Sequence, residues 1–269
     1  MTRDTIGSRR SQQAFEAAKA GGRLAFIPYV VAGYPDDSTS EAAALAALDA
    51  GADLLEIGLP SSDPLADGVT LQRASTAALA SGADLDGSLE LVERVAHARP
   101  DKPIVVMGYA NQFLGPRGEL AVARRLADAG AAGAIVADLT PDEGAPLETA
   151  FAANGLALVY LVAPTTTPER IEFIVNRSGG YVYCVSLTGV TGARSALPTT
   201  LAALVRRVKK VSPLPVAVGF GVSRPQHVRS VAKAGADGVI VGSALVSALG
   251  GNGREVERFA ALARELRAA

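Results

Sequence analysis

"AGADLLEIG", residues 50–58, is a phrase that this chain repeats. It returns as "AGAAGAIVAD" at 129–138 and as "AGADGVIVG" at 234–242. Each copy puts a glycine where a helix would end, then a tight turn, then an apolar run of strand type. A helix leading closely into a buried strand is half of a βα unit, so the phrase predicts a fold made of such units. Eight apolar runs fit it: 24–32, 53–58, 103–110, 133–139, 156–163, 180–186, 214–221 and 238–244. Most are continuous rather than alternating, as in strands covered on both faces of a parallel sheet. Helix-period segments separate them, at 38–51, 84–98, 119–130, 142–155, 167–180, 198–211 and 224–235, with a last one at 255–266. A further helix over roughly 10–20 precedes the first strand, and a short one over about 72–80 follows the second.

Eight βα units predict an α/β fold: a closed (β/α)8 TIM barrel forming one domain over residues 1–269. Its additions are an extra N-terminal helix and a short inserted helix after strand 2. An open doubly wound sheet is the competing architecture. Its first βα turn would normally carry G-x-G-x-x-G, whereas here that turn reads "VVAGYPDDS".

Composition narrows the function classes. Of 269 residues, 49% are hydrophobic and 20% charged, with a formal net charge of −1, which speaks for a large core and against wholesale disorder. The densest basic cluster, Arg206, Arg207, Lys209 and Lys210, falls on a helical pattern and reads as a solvated face rather than a nucleic-acid patch. The lone Cys184 excludes an intramolecular disulfide and a cysteine metal cluster, and it reads as a small core residue. His97 and His227 lie far apart in polar helical stretches and are expected at the surface. No metal site is expected. The N-terminus lacks an apolar signal core, and no run approaches the ~20 residues of a membrane span. A soluble, cytoplasmic protein is the expectation.

In a barrel of this type, chemistry sits at the C-terminal ends of the strands and in the loops that follow. Glu56 lies near the end of strand two between Leu55 and Ile57. A carboxylate buried there costs several kcal/mol unless it is paired or protonated. Desolvation raises its pKa toward neutrality, which suits a proton shuttle, but an Arg or backbone donor could equally make it structural. Asp67, in the loop "PSSDPLADG", is placed to reach over the same mouth, while Asp63 could cap or close an Asx-turn in "SSDP". Gly219, Gly221, Gly242 and Ser243 follow the last two strands, where barrels usually hold phosphate, although tight turns explain glycines equally well. The stretch "TGVTGARSALP" has the composition of a closing lid or of an exposed loop.

At these residues the chain resembles the tryptophan synthase α-subunit family over nearly its whole length. The stretches are "FIPYVVAGYP", "LLEIGLPSSDPLADG", "YLVAPTTTPERI", "YVYCVSLTGVTGAR", "PVAVGFGVS" and "GADGVIVGSALV", in that order. The resemblance implies retro-aldol cleavage of indole-3-glycerol phosphate to indole and glyceraldehyde 3-phosphate. It implies Glu56 and Asp67 as the catalytic carboxylates and Tyr183 beside the substrate. Thr191 falls at the lid hinge, and Gly192, Phe220, Gly221, Gly242 and Ser243 fall around the phosphate. No cofactor is implied in this chain; pyridoxal phosphate belongs to a β-subunit partner in an α2β2 heterotetramer. The partner surface falls on the loops holding Pro60, Asp63, Tyr109 and Asn111. Those loops depart from the family pattern: Ser61 replaces the usual Phe or Tyr, Val69 the proline after "DG", and Gln112 a proline after Asn111. Alternatives are a free-standing lyase that releases indole, a weakly catalytic activating subunit, and another phosphate-sugar isomerase.

Overall fold

The structure is a computed structural model, and it describes residues 4–114, 118–185, 200–219, 221–250 and 255–269. Nine strands are described: β1 (Ala25–Val31), β2 (Leu55–Gly58), β3 (Ile104–Gly108), β4 (Gly133–Val136), β5 (Ala157–Val159), β6 (Leu161–Val162), β7 (Val182–Val185), β8 (Val216–Gly219) and β9 (Gly238–Val241). All pairings are parallel, in the order β5-β4-β3-β2-β1-β9-β8-β7-β6. The two ends of that order, β5 and β6, are consecutive in the chain. They are two halves of the predicted fifth strand, so the sheet comes round on itself as a barrel of eight staves. The break falls at Tyr160, whose N–H donates to Ser178 Oγ at 3.1 Å instead of to a neighbouring strand.

Helices surround the staves. They are α1 (Ile6–Ala20), α2 (Asp37–Asp49), α3 (Val69–Ala80), α4 (Leu85–Ala98), α5 (Ala110–Phe113), α6 (Glu119–Asp128), α7 (Ala145–Ala153), α8 (Pro168–Arg177), α9 (Leu201–Val211), α10 (Pro225–Lys233), α11 (Ser243–Ala248) and α12 (Val256–Arg267). The short α5 and α11 were not expected, because one turn or so leaves no periodic signal. The inserted helix α3 begins directly after Gly68, earlier than its apolar pattern suggested. α1 is longer than expected; Thr5 caps it through Oγ1, which accepts the N–H of Ser8 at 3.1 Å.

The repeated phrase has a structural reason. Gly51, Gly130 and Gly235 end their helices with φ of 95°, 83° and 86°, a region other residues enter only with strain. In two copies the following aspartate ties its strand to the stave before it in the barrel. Asp53 N–H donates to the Phe26 carbonyl at 2.9 Å, and Phe26 N–H donates back to Asp53 Oδ2 at 2.9 Å. Asp237 does the same with Val216, at 2.8 Å in both directions. Arg23 and Lys209 neutralise these two carboxylates.

Closure sorts the apolar residues into two cores. Phe26, Val30, Leu55, Ile57, Ile104 and Val106 face the helices. Ile27, Tyr29, Val105, Met107, Ile135, Val159, Tyr181, Tyr183, Ala217 and Ile240 belong to the other cluster, inside the barrel. Phe15 of α1 joins this inner core, 5.4 Å from the Tyr181 ring. Cys184 is buried on the outer side of its stave. His97 is exposed as expected, but His227 is not: it is 2% exposed. α10 turns His227, Val228 and Val231 inward together, and His227 Nδ1 accepts the Ser223 N–H at 3.2 Å. Its polar neighbours in sequence lie on the other faces of that helix.

Candidate active site

Period-two alternation carries Leu54 and Glu56 to the inside of the barrel, with Leu55 and Ile57 outside. Glu56 sits opposite Tyr29 on β1 and Val105 on β3. It is fully buried. The Tyr181 hydroxyl donates to Glu56 Oε1 at 2.8 Å, and Oε2 has no partner among the described residues. Burial pushes the Glu56 carboxyl up to about 8, against the opposing pull of the Tyr181 hydrogen bond. Neither an arginine nor a backbone donor pairs with it among the described residues, so the structural alternative lacks its partner.

Asp67 ends the loop after β2 and is 6% exposed. The Tyr109 hydroxyl donates to its Oδ2 at 3.1 Å, and Gln72 Nε2 donates to its carbonyl at 3.0 Å. Burial raises the Asp67 carboxyl to about 6, with the Tyr109 hydrogen bond acting the other way. Near pH 7, Glu56 is thus mostly protonated and Asp67 mostly ionised. Environments that split two carboxyls in this way assign one the role of acid and the other that of anion.

Both line one cleft with Tyr29, Leu71, Met107, Tyr183, Gly221, Gly242 and Ser243. Two glycines make room for its tyrosines. A Cβ on Gly58 would lie 1.9 Å from the Tyr29 hydroxyl oxygen, and one on Gly219 would lie 2.1 Å from that of Tyr183. Each ring leans over the strand-end glycine of the neighbouring stave. Gly221 has φ of 83° just past β8, and Gly242 leads into α11 with Ser243 as its first residue. The cleft therefore joins the acid pair to backbone donors at the ends of the last two staves.

Of the residues singled out from sequence, Glu56, Asp67, Tyr183, Gly221, Gly242 and Ser243 converge on this cleft. Thr191, Gly192 and Phe220 lie outside the described residues. Asp63 and Asn111 are exposed, while Pro60 and Tyr109 are buried within the chain. Asp63 is a loop residue: its N–H donates to Ser61 Oγ at 3.2 Å, and Ser62 Oγ donates to its Oδ2 at 2.8 Å. Sequence reasoning missed Tyr29, Tyr181 and the inward hydroxyl of Tyr109. Tyr181 immediately precedes β7 and stands two residues from Tyr183, so in a continuous extended run an inward Tyr183 already implied an inward Tyr181.

A (β/α)8 barrel with two inward carboxyls of raised and unequal proton affinity at its strand ends is an acid–base enzyme of the barrel class. Comparison with known proteins sharpens this. The family model for the tryptophan synthase alpha chain matches residues 15–269. The tryptophan synthase alpha chain of Roseiflexus sp. strain RS-1 is 46% identical over 240 residues, covering 89% of this chain and 91% of that protein. A structure of Mycobacterium tuberculosis tryptophan synthase superposes with a TM-score of 0.89 at 43% identity, covering 96% of this chain and 97% of that one. A structure concerned with mutual activation in the α2β2 complex of Pyrococcus furiosus gives 0.85 at 38%, covering 91% and 98%. The chain belongs to the tryptophan synthase alpha chain family, and its activity is that of a lyase in tryptophan biosynthesis.

Proposed function

We propose that the cleft performs the α reaction, retro-aldol cleavage of indole-3-glycerol phosphate, with Glu56 as proton shuttle and Asp67 as the anion beside the indole nitrogen. The supporting observation is that two buried carboxyls, Glu56 and Asp67, line one cleft, where burial raises the first to about 8 and the second to about 6. Protonated Glu56 delivers its proton to indole C3. Positive charge then spreads to the ring nitrogen, whose N–H donates to the Asp67 carboxylate. The C3–C3′ bond breaks and its electron pair returns to the ring. The C3′ hydroxyl gives its proton to the Glu56 carboxylate as the aldehyde forms, which restores the acid for the next turnover. Tyr181 steadies Glu56 in its charged form, and Tyr183 and Tyr29 wall the cleft. Gly221, Gly242 and Ser243 present backbone and hydroxyl donors to the phosphate. These steps use side chains of this chain alone, with no cofactor.

The partner in this reading is a β subunit that takes up the indole. The α2β2 assembly of the Pyrococcus furiosus relative supports it. So does the surface of the same loops: Leu65 is 89% and Leu114 42% exposed, apolar residues beside Asp63 and Asn111. A cytoplasmic location fits the reading; no helix among the described residues is long and apolar enough to cross a membrane.

Indole release from indole-3-glycerol phosphate, measured with and without an added β subunit, tests the proposal. Release that the β subunit strongly stimulates is the expected result. Fast release by the chain alone, unchanged by the β subunit, would mark a free-standing lyase. No release under either condition would overturn the assignment of the two carboxylates.

A further inference from the structure

The loop after β2 starts at Leu59 and carries Asp67 at its far end, and side chains from the segment after β3 hold both ends of it. At the start, Gln112 Nε2 donates to the Pro60 carbonyl at 2.9 Å. Gln112 Oε1 in turn accepts the backbone N–H of Tyr109 at 2.9 Å. At the far end, the Tyr109 hydroxyl accepts the Ala66 N–H at 3.1 Å and donates to Asp67 Oδ2 at 3.1 Å. Gln112 therefore uses both ends of its amide in opposite senses, one as donor and one as acceptor. Pro60 and Tyr109 are buried, so cutting these bonds strands polar groups away from water. Gly108 makes the arrangement possible. A Cβ there would lie 2.6 Å from Gln112 Oε1, so the amide rests directly on the end of β3.

We propose that Gln112 is a positioning residue for Asp67: it clamps the loop after β2 to the end of β3 and, through Tyr109, sets where the Asp67 carboxylate stands in the cleft. Both hydrogen bonds of the clamp come from the one Gln112 amide, so a single side chain decides whether it holds. The inference rests on the reading of Asp67 as the carboxylate facing the reacting ring. It adds that the geometry of Asp67 is decided on a neighbouring loop, by a side chain that does not line the cleft. That loop also carries Asn111, so the proposed partner surface and the Asp67 clamp share one short segment.

The test is a carbon-13 carboxyl titration of Asp67 in the full chain, in the unchanged protein, in Gln112→Leu and in Gln112→Glu. It is run alongside kcat and KM for indole release. The titratable groups around Asp67 are Tyr109 from the clamp, Tyr29 from β1, Glu56 from β2 and Tyr183 from β7, and all are kept in both variants. Burial is the larger influence on Asp67 and the Tyr109 bond the smaller, so loosening the loop lets water in and lowers the titration midpoint. In Gln112→Leu we expect a drop of about half a pH unit or more. We also expect a loss of about tenfold in kcat with KM within about twofold, as for a misplaced catalytic group. Gln112→Glu keeps the acceptor for Tyr109 N–H and loses the donor to Pro60, so its kcat falls between, while its added negative charge opposes the drop in the Asp67 midpoint.

An unchanged Asp67 midpoint in Gln112→Leu overturns the proposal, whatever happens to the melting temperature. A rise in KM with kcat intact overturns it as well. Should Gln112→Leu fail to fold, the same titration in Gln112→Met, which removes both hydrogen bonds and adds no charge, decides. If the unchanged protein releases no indole yet the Asp67 midpoint still moves, the clamp stands and the functional reading falls.

Discussion

Asp53, in the turn that leads into β2, and Glu56, on β2 itself, are three residues apart, both buried acids, and they are treated in opposite ways. Asp53, at the N-terminal end of the stave, takes two hydrogen bonds from Arg23, at 2.6 and 2.9 Å, and one from Phe26 N–H. Glu56, inside the barrel at the other end, takes one phenol hydrogen bond and leaves an oxygen without a partner among the described residues. A saturated carboxylate is stable as an anion and fastens strands together. An under-supplied one holds its proton and is ready to release it where a substrate offers a better acceptor. The lower end of this barrel is built for stability, and the upper end for reaction at some cost in stability.

Breaking the upper end should have the largest effect. Glu56→Gln preserves shape and removes the titrating proton; steady-state indole release is expected to fall about 1000-fold with the circular dichroism spectrum unchanged. Retained activity would end the shuttle assignment. The same variant reports on stability. Folding raises the Glu56 pKa from 4.5 to about 8, so between those values the folded protein holds more protons than the unfolded chain. This group's contribution therefore falls as pH rises through that window. Urea unfolding at pH 6 and pH 8.5 should show the unchanged protein losing stability on the order of a few kcal/mol, with a flatter profile in Glu56→Gln.

Asp67→Asn keeps the Tyr109 contact and loses the charge. The expected loss in kcat is about 100-fold, smaller than for Glu56 because the anion stabilises charge without carrying the proton. The lower end supplies the converse. Asp53→Ala strands Arg23 and the Phe26 N–H and should lower stability by about 3 kcal/mol in urea unfolding, while kcat of the folded fraction stays the same. A fall in kcat without a loss of stability would erase the division between the two ends. Tyr181→Phe is the mildest change. It removes the one donor that favours the Glu56 anion, so the Glu56 pKa rises further, and the pH profile of kcat should move to higher pH with a loss of about fivefold at pH 7.

Much of this was legible in the sequence, for identifiable reasons. Helix-stop glycines and continuous apolar runs are local properties, so the eight staves could be read directly. Glu56 stood out because an acid inside an apolar run breaks that pattern. The division of the fifth stave at Tyr160 could not be seen, since it depends on Ser178 arriving from elsewhere to take the N–H. The burial of His227 was hidden in the same way: the polar residues around it in sequence describe other faces of its helix.

The sequence by itself determined the alternating units, the barrel class and the two acids at a strand end and in the loop after it, because periodicity and turn chemistry act over a few residues. Only the tertiary structure decided which acid keeps its proton. Proton affinity is set by what surrounds the carboxyl in space. Here that means Tyr181, 125 residues from Glu56, and Tyr109, 42 residues from Asp67. It also means the closure of the sheet that shuts water out from both.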